Sequence, residues 1–184
     1  EGSLSEGQLI VDAPKNHKVQ LVLRGVDISC ASGAAVYIRQ ADKVFLTLAS
    51  DTENTLATTE VFADTDNVDG VIFSKEDLTL NGSGSLMVTS AKGHGIVSKD
   101  DLAITGGSYH ITAQDHGLSG KDSVRIADGD FTITAGKDCI HAENKDDVNK
   151  GFLYIGHGNF TLQSEGDGLS AAYSLQIEAA IMNI

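Results

Sequence analysis

The sequence repeats a Gly-x-x-x-Lys-Asp turn, which is followed by two short segments of alternating apolar and polar residues. The copy at residues 95–104 returns 22 residues later at residues 117–126. Related copies begin near residues 74, 139 and 167. One such unit is too small to bury its apolar face alone, so this period predicts stacked units that share one core.

Apolar-x-apolar triplets fill each unit and are separated by Gly, Asn, Asp or Ser. Triplets are too short for helices, and their alternation is typical of strands. Parallel strands about 4.8 Å apart would point alternate residues into one aliphatic core. We therefore expect an all-β, right-handed single-stranded parallel β-helix, a solenoid with about 22–29 residues and three strands per coil. The residues expected inside are Ile104, Ile111, Ile126, Ile133, Ile155 and Leu162.

The whole chain, residues 1–184, is predicted to be one such domain. Its N-terminal cap and last coil are expected to be missing, because both ends fall inside patterned sequence. The apolar period lapses in residues 51–69, which are expected to form an irregular loop. No signal peptide is expected within residues 1–184, which contain no run of apolar residues long enough to span a bilayer.

The chain is acidic, with a formal net charge of −13 and a pI near 4.6. Nucleic-acid binding requires a basic surface, so this charge argues against nucleic acid as a partner. It also argues against unaided binding of acidic polymers. Much of the charge is expected to keep the surface solvated.

Several phrases occur in a characteristic order along the chain. They are Val-x-Leu-Val-Leu-x-Gly-Val-x-Ile at residues 19–28, Ala-Val-Tyr-Ile at 35–38, Gly-Ile-Val-Ser-Lys-Asp-Asp-Leu at 95–102 and Asp-Gly-Leu-Ser-Ala at 167–171. The set resembles the carbohydrate-binding β-helix family of bacterial surface proteins, which have a pectate-lyase-like fold. The resemblance implies extracellular, non-catalytic binding of plant cell-wall polysaccharide, either cellulose or acidic pectic chains such as polygalacturonic acid, with calcium as the cofactor.

One corner of each unit, just before the Gly-x-x-x-Lys-Asp turn, carries metal-binding residue types. His94, His116, Asp138 and Asp167 take equivalent positions in successive units. Stacked carboxylates repel each other unless a cation lies between them, and calcium takes oxygen ligands, including the carbonyls that turns supply. An uncoordinated acidic corner is the alternative. The expected calcium ligands are Asp138, Glu143, Asn144, Asp147 and Asp167.

A second candidate calcium region comprises Asp64, Asp66 and Asp69 in the expected loop. Their spacing resembles the start of an EF-hand, but Lys75 stands where the bidentate Glu is needed. An EF-hand is therefore not expected. At the repeated corner, His94 and His116 with Asp138 are an alternative zinc site, although three ligands on one ladder without cysteines are a weak signal.

Lysines and carboxylates form parallel ladders from unit to unit. Their simplest role is cross-strand charge pairing, which contributes little per pair. In a binding protein, the lysines would face an acidic sugar chain while the carboxylates accept hydrogen bonds from hydroxyl groups. An outward tyrosine could stack on a sugar ring. The expected ligand-binding residues are Lys75, Lys99, Lys121, Asp100, Asp122 and Tyr154.

Two other functions fit such a chain. A pectin-degrading hydrolase or lyase is suggested by Gly-His-Gly at residues 93–95 and by Arg125, which resemble fragments of polygalacturonases. Hydrolysis needs two opposed carboxylates, and the adjacent Asp-Asp pair that should precede this Gly-His-Gly on the neighbouring coil is missing, so we expect no enzyme. The other alternative is a cell-surface filament or adhesin, built by end-to-end stacking through exposed strand edges.

Overall fold

The computed structural model describes residues 1–62 and 67–184, and the regular elements in these residues are all β-strands. The first ten are β1 (Gly2–Ser5), β2 (Leu9–Asp12), β3 (Lys18–Leu23), β4 (Val26–Cys30), β5 (Val36–Gln40), β6 (Lys43–Leu48), β7 (Glu53–Thr58), β8 (Gly70–Ser74), β9 (Asp77–Gly82) and β10 (Ser85–Ser90). The next ten are β11 (His94–Ser98), β12 (Asp101–Ile104), β13 (Ser108–Ala113), β14 (Leu118–Gly120), β15 (Ser123–Ile126), β16 (Asp130–Ala135), β17 (Ile140–Ala142), β18 (Phe152–Ser164), β19 (Leu169–Ala171) and β20 (Ser174–Asn183). The described residues contain no helix that is long and apolar enough to cross a membrane.

The described strands form two parallel sheets. The larger has 13 strands in the order β1-β4-β7-β10-β13-β16-β18-β15-β12-β9-β6-β3, with β20 paired to β18. The smaller has 7 strands in the order β19-β17-β14-β11-β8-β5-β2. The repeat sets the register, since Leu102 pairs with Val124 and Tyr109 with Phe131. Equivalent residues of successive units therefore lie side by side.

The predicted right-handed single-stranded β-helix is wrong. The prediction separated residues 153–155 from residues 160–162 by a turn, whereas both triplets belong to one continuous strand, β18. The first part of β18 pairs with β15 and its second part with β16. Because β18 joins these two rows of strands, they form a single 13-stranded sheet, which lies against the 7-stranded sheet in a sandwich-like arrangement.

Alternate side chains of both sheets meet in one apolar core. All six residues that were expected to point inward are buried there, which confirms the alternation. Tyr109, Phe131 and Phe160 lie in register on neighbouring strands, and their rings stack with centroids 5.0 and 4.7 Å apart. This aromatic stack fills one side of the core between the sheets.

The structure differs from the expectation of an irregular loop over residues 51–69, because Glu53–Thr58 form β7. The alternation of β7 is hidden in the sequence, since two of its inward residues, Asn54 and Thr58, are polar. Asn54 accepts the N–H of Val26 and donates to the carbonyl of Ser85, so its burial leaves the amide paired.

Candidate functional site

The Lys-Asp turns lie at the corner where strands of the smaller sheet continue into strands of the larger one. Ser74 and Ser98 end two strands of the smaller sheet, and each hydroxyl donates to the carbonyl of Glu76. These bonds fix the turn backbone. As a result, the acidic residues that follow each lysine are aligned from one turn to the next.

Four carboxylates meet at this corner, and three of them have a basic partner. Asp101 accepts hydrogen bonds from Arg125 and Ser123, both at 2.6 Å. Lys43 lies 3.2 Å from Asp77. The strand register explains two of these contacts. It places Lys43 beside Asp77 and Ser123 beside Asp101 on neighbouring strands. Partial exposure of the pairs limits their contribution to stability.

Asp122 is the most buried of the four, with a side chain 12% exposed. It accepts hydrogen bonds from Lys150 and from the Asn144 amide. Burial would raise the pKa of Asp122, but its hydrogen bonds with Lys150, Asp100 and Asn144 lower it. Asp122 therefore carries a negative charge held by donors from the insertion between β17 and β18.

Asp100 lies beside Asp122 on the preceding turn, where its backbone carbonyl accepts the N–H of Asp122 at 3.1 Å. Burial first, and then the neighbouring carboxylates of Asp122 and Asp77, raise the pKa of Asp100 to about 6. Among the described residues, no basic side chain lies within ion-pair distance of Asp100. The Asp100 carboxyl is thus protonated in mildly acidic solution, while Asp122 stays charged.

An open cavity of about 400 Å³ lies over this corner. Carboxylates, an amide, two cations and one aromatic ring converge on it, a combination suited to the hydroxyl and carboxylate groups of a sugar. Its lining residues are Asp77, Asp100, Asp101, Asp122, Arg125, Asn149, Lys150 and Phe152. We call it the acidic cavity.

The predicted lysine ladder lies on another surface. Lys75 and Lys99 extend over the outer side of the smaller sheet, with Nζ atoms 5.6 Å from the ring centroids of Tyr37 and Phe73, respectively. Lys99 also lies 3.9 Å from Asp69. Lys121, the third member, is exposed. Asp100 and Asp122 are the predicted ligand-binding residues that line the acidic cavity.

Tyr154, the predicted stacking residue, is partly exposed on β18 in register with Arg125. Partial burial, and then the neighbouring Glu178 carboxylate, raise the pKa of its hydroxyl. The aromatic ring that lines the acidic cavity is instead Phe152, two residues earlier on the same strand, with the Arg125 guanidinium 5.8 Å from its centroid. Tyr154 therefore lies next to the cavity rather than in its wall.

The five predicted calcium ligands separate into two groups. Asn144 faces Asp122, and its side-chain oxygen accepts the backbone N–H of Asp147. Glu143, whose N–H donates to Gly120, begins this same insertion. Asp138 lies at the other corner, where one of its oxygens accepts the N–H of Asp167 at 2.8 Å.

The second predicted calcium region lies partly outside the described residues, which exclude Asp64 and Asp66. Asp69 lies 3.6 Å from Nε2 of His94. Burial raises the pKa of Asp69, with Lys99 acting in the opposite direction. Its Oδ1 atom is buried without a hydrogen-bond partner among the described residues.

The residues predicted at the repeated corner, His94, His116, Asp138 and Asp167, form a ladder with a structural role that the sequence did not reveal. The N–H of His116 donates to Nδ1 of His94, and the N–H of Asp138 donates to Nδ1 of His116. The N–H of Asp167 continues the ladder by donating to Asp138. Each side chain thus caps the backbone of the next unit.

Burial shifts the pKa values of the histidines in this ladder and so sets their protonation state. Desolvation, and then the neighbouring His116, lower the pKa of His94 to about 4. Burial, and then His141, lower the pKa of His116. Burial alone would raise the pKa of Asp138, but the Asp167 N–H and the nearby imidazoles lower it. The histidines are therefore neutral acceptors at neutral pH.

Several residues of these sites were not predicted. Lys150, Asn149 and Phe152 enter the acidic cavity from the insertion and the start of β18. Asp77 and Asp101 follow the Lys-Glu and Lys-Asp pairs at the same position in successive repeats, which is a signal that could have identified them. The insertion residues offered no such signal, because they occur in one repeat only.

Comparison with known proteins identifies the family. The model of the carbohydrate-binding domain-containing protein family matches residues 1–184. The chain belongs to this family. A carbohydrate-binding domain-containing protein from Acetivibrio thermocellus is 38% identical over 187 residues, and the alignment covers 100% of this chain. The chain spans 65% of that relative's length.

A solved structure shares the fold. It is described as a polysaccharide lyase-like protein from C. thermocellum in a gadolinium derivative, and it matches with a TM-score of 0.84 and 30% identity. The match covers 98% of this chain and 82% of the other. Both comparisons therefore extend over both sheets and over the acidic cavity.

Proposed function

We propose that this member of the carbohydrate-binding family binds an acidic plant cell-wall polysaccharide in the acidic cavity, without cleaving it and with the help of calcium. The observation that carries the proposal is the convergence of Asp100, Asp122, Arg125, Lys150 and Phe152 on one open cavity. Cellulose is the second polymer that we consider, because the polar groups of the cavity also suit neutral hydroxyl groups.

The cavity offers each group of a uronate sugar a chemically matched partner. Arg125 and Lys150 are cations that can contact a sugar carboxylate, and a guanidinium can do so with two parallel hydrogen bonds. Asp77 and Asp101 can accept hydrogen bonds from hydroxyl groups, while Asn149 can donate or accept. The ring of Phe152 supplies an apolar surface for the face of the sugar.

The donor set of the cavity also fits calcium. Hard cations take carboxylate and amide oxygens, and a cation at this corner would offset the mutual repulsion that raises the pKa of Asp100 beside Asp122 and Asp77. Calcium bound to these oxygens would supply the positive charge that lets a chain with a net charge of −13 hold an acidic polymer. The structural neighbour was studied with gadolinium, which is likewise a hard, oxygen-seeking cation.

Binding without cleavage is favoured by the spacing of the two carboxyl groups. Glycoside hydrolysis uses carboxyl groups about 5–5.5 Å apart in retaining enzymes and about 6.5–9.5 Å apart in inverting enzymes. Asp100 and Asp122 instead lie side by side on neighbouring turns and perturb each other's pKa, rather than facing each other across a bound sugar. The second candidate function is a lyase, which is favoured by the polysaccharide lyase-like description of the neighbour. The guanidinium of Arg125 is ion-paired with Asp101, which makes it a poor base.

A protein that binds plant cell-wall polymer must reach that polymer, so the proposal includes an extracellular or cell-surface location. Cell fractionation of the source organism, with detection by a specific antibody, tests this part. End-to-end self-association through the sheet edges stays a separate prediction. Light scattering on tag-free protein over a hundredfold concentration range tests it.

Affinity electrophoresis in gels that contain polygalacturonate or soluble cellulose derivatives tests the function. The native protein should be retarded by polygalacturonate more strongly in millimolar calcium than in excess chelator. The Asp128→Asn variant, which changes an exposed charge outside the cavity, should behave like the native protein. Absence of retardation by either polymer would refute binding, and release of unsaturated uronates or new reducing ends would establish the enzymatic alternative.

A further inference from the structure

A compact group of three metal-binding side chains lies at the corner opposite the acidic cavity. Oδ2 of Asp138 is 2.8 Å from Nδ1 of His141 and 3.5 Å from Nδ1 of His116. These atoms all lie within 4.8 Å of one another. The side chains are only 15–20% exposed, so the polypeptide shields the group while leaving one side open to water.

Sheet packing holds the group in place. The rings of His116 and His141 stack with centroids 4.3 Å apart, and His94 stacks on the other side of His116 at 5.1 Å. Oδ1 of Asp138 accepts the N–H of Asp167 at 2.8 Å, which fixes the orientation of the carboxylate. Outer contacts of this kind orient the ligands in metal sites.

The contacts of His116 are unusual for a purely structural cluster. Its Nδ1 atom accepts the N–H of Asp138 at 3.1 Å and therefore carries a lone pair rather than a proton. The same atom lies 3.5 Å from Oδ2 of Asp138, which is also an acceptor. A cation between these two acceptors would replace a repulsive approach with two favourable bonds.

We propose that Nδ1 of His116, Oδ2 of Asp138 and Nδ1 of His141 bind one first-row transition cation of the Zn²⁺ class, with water completing the coordination. In a tetrahedral site with bonds of about 2.0–2.2 Å, ligand atoms lie roughly 3.3–3.6 Å apart. The pair formed by His116 and Asp138 already has this separation. Small rotations of the two imidazoles complete the geometry. Two hydrogen bonds are given up, the one from the Asp138 N–H to His116 and the one between Nδ1 of His141 and Oδ2 of Asp138, whose proton moves to Nε2 of His141.

The donor set separates this site from the calcium proposed above. Two of its three ligands are imidazole nitrogens, which suit zinc, copper or nickel, whereas calcium takes hard oxygens. The site uses none of the residues that line the acidic cavity. A bound cation would join residues just before β14 to residues at β17, and so it would stabilise neighbouring strands of the smaller sheet by mass action.

Isothermal titration of tag-free protein with ZnCl₂, in buffer with 1 mM CaCl₂, tests the proposal, and Co²⁺ absorption reports coordination geometry. The His141→Phe variant keeps a stacking ring but loses the ligand. The Asp138→Asn variant keeps an acceptor for the Asp167 N–H but loses the charge. His157→Ala, which changes an exposed histidine outside the cluster, is the matched control.

The native protein and the control should bind one Zn²⁺ with equal affinity, and Co²⁺ should give the intense visible bands of a tetrahedral site. Each ligand variant should weaken binding by at least about tenfold. Thermal unfolding in chelator establishes whether each variant is folded, and either variant alone suffices for the comparison. The proposal is overturned if the native protein does not bind Zn²⁺, or if both variants bind it as tightly as the native protein does.

Discussion

The backbone N–H of Asp122 donates to the carbonyl of Asp100 on the preceding turn at 3.1 Å, while Lys150 contacts the Asp122 carboxylate. The repeat places the two acids side by side, and the insertion supplies the cation. As a result, two chemically identical groups differ in acidity: the pKa of Asp122 is lowered, and the pKa of Asp100 is raised. The consequences of this difference for stability and binding can be measured separately.

The Asp100→Asn substitution should stabilise the protein at pH 8 but not at pH 4. The pKa of Asp100 is raised from 3.8 in the unfolded chain to about 6 in the folded protein. The protonated Asp100 carboxyl therefore makes its full contribution to stability below pH 3.8, and this contribution is lost as the pH rises through about 6. After discounting for solvent screening, we expect a gain on the order of 1 kcal/mol at pH 8.

Urea unfolding at the two pH values measures this effect. Asp128→Asn removes one negative charge from an exposed position away from the pair and should show no such pH dependence. Equal stabilisation by Asp100→Asn at pH 4 and pH 8 would contradict the raised pKa.

Replacement of the buried Asn54 by alanine should destabilise the protein by about 1–3 kcal/mol, because the partly buried N–H of Val26 and carbonyl of Ser85 lose their partner. Chemical denaturation measures the change. Glu53→Ala on the exposed side of the same strand is the control, with an expected change within about 0.5 kcal/mol. A negligible effect of Asn54→Ala would show that this position is not a buried part of β7.

The Phe131→Leu variant should lose about 1–3 kcal/mol of stability. Phe131 is the central ring of the stack with Tyr109 and Phe160, so the substitution removes two aromatic contacts as well as volume from the core. Thermal unfolding followed by circular dichroism measures the loss. Thr132→Ala, at the next and exposed position of β16, should be close to neutral. Equal effects at the two positions would contradict the assigned register.

The sequence predicted the features that follow directly from its repeat. The alternation identified the inward residues, and the equivalence of positions 22 residues apart brought Asp100 and Asp122 together. The sheet organisation was missed because Gly156 and Gly158 indicate a turn, whereas the backbone of β18 continues through both. Gly158 adopts a φ of 122°, and a Cβ atom at this position would lie 2.6 Å from the carbonyl oxygen of Gly129, so only glycine fits here.

The lysine ladder was misplaced for a related reason. The repeat gives the order of residues along each turn, but not the side of the corner to which each side chain extends. Lys75 and Lys99 extend towards Tyr37 and Phe73, whose outward, buried rings cannot be recognised from a two-residue period. Lys150 lies in an insertion that no other repeat shares, so periodicity could not reveal it.

The Lys150→Met variant distinguishes the acidic cavity from the predicted lysine ladder. If a uronate chain binds in the cavity, loss of this cation should weaken binding of polygalacturonate by about tenfold, as expected for a charged hydrogen bond. Lys99→Met removes a lysine that lies over Phe73, outside the cavity, and should leave binding unchanged. Microscale thermophoresis with labelled oligogalacturonate measures both. The opposite order of effects would assign the sugar to the lysine ladder.

The most direct test of the central claim is the affinity for oligogalacturonate, measured by isothermal titration at pH 7.5 in 2 mM calcium. It compares the native protein with the Asp100→Asn/Asp122→Asn double variant and with Asp128→Asn, each shown to be folded by circular dichroism. We predict that the native protein and Asp128→Asn bind the oligogalacturonate equally well and that excess chelator strongly weakens this binding. The double variant should bind with at least tenfold lower affinity. Equal affinities in all three proteins, or no binding by the native protein, would contradict the claim that the acidic cavity is the polysaccharide site.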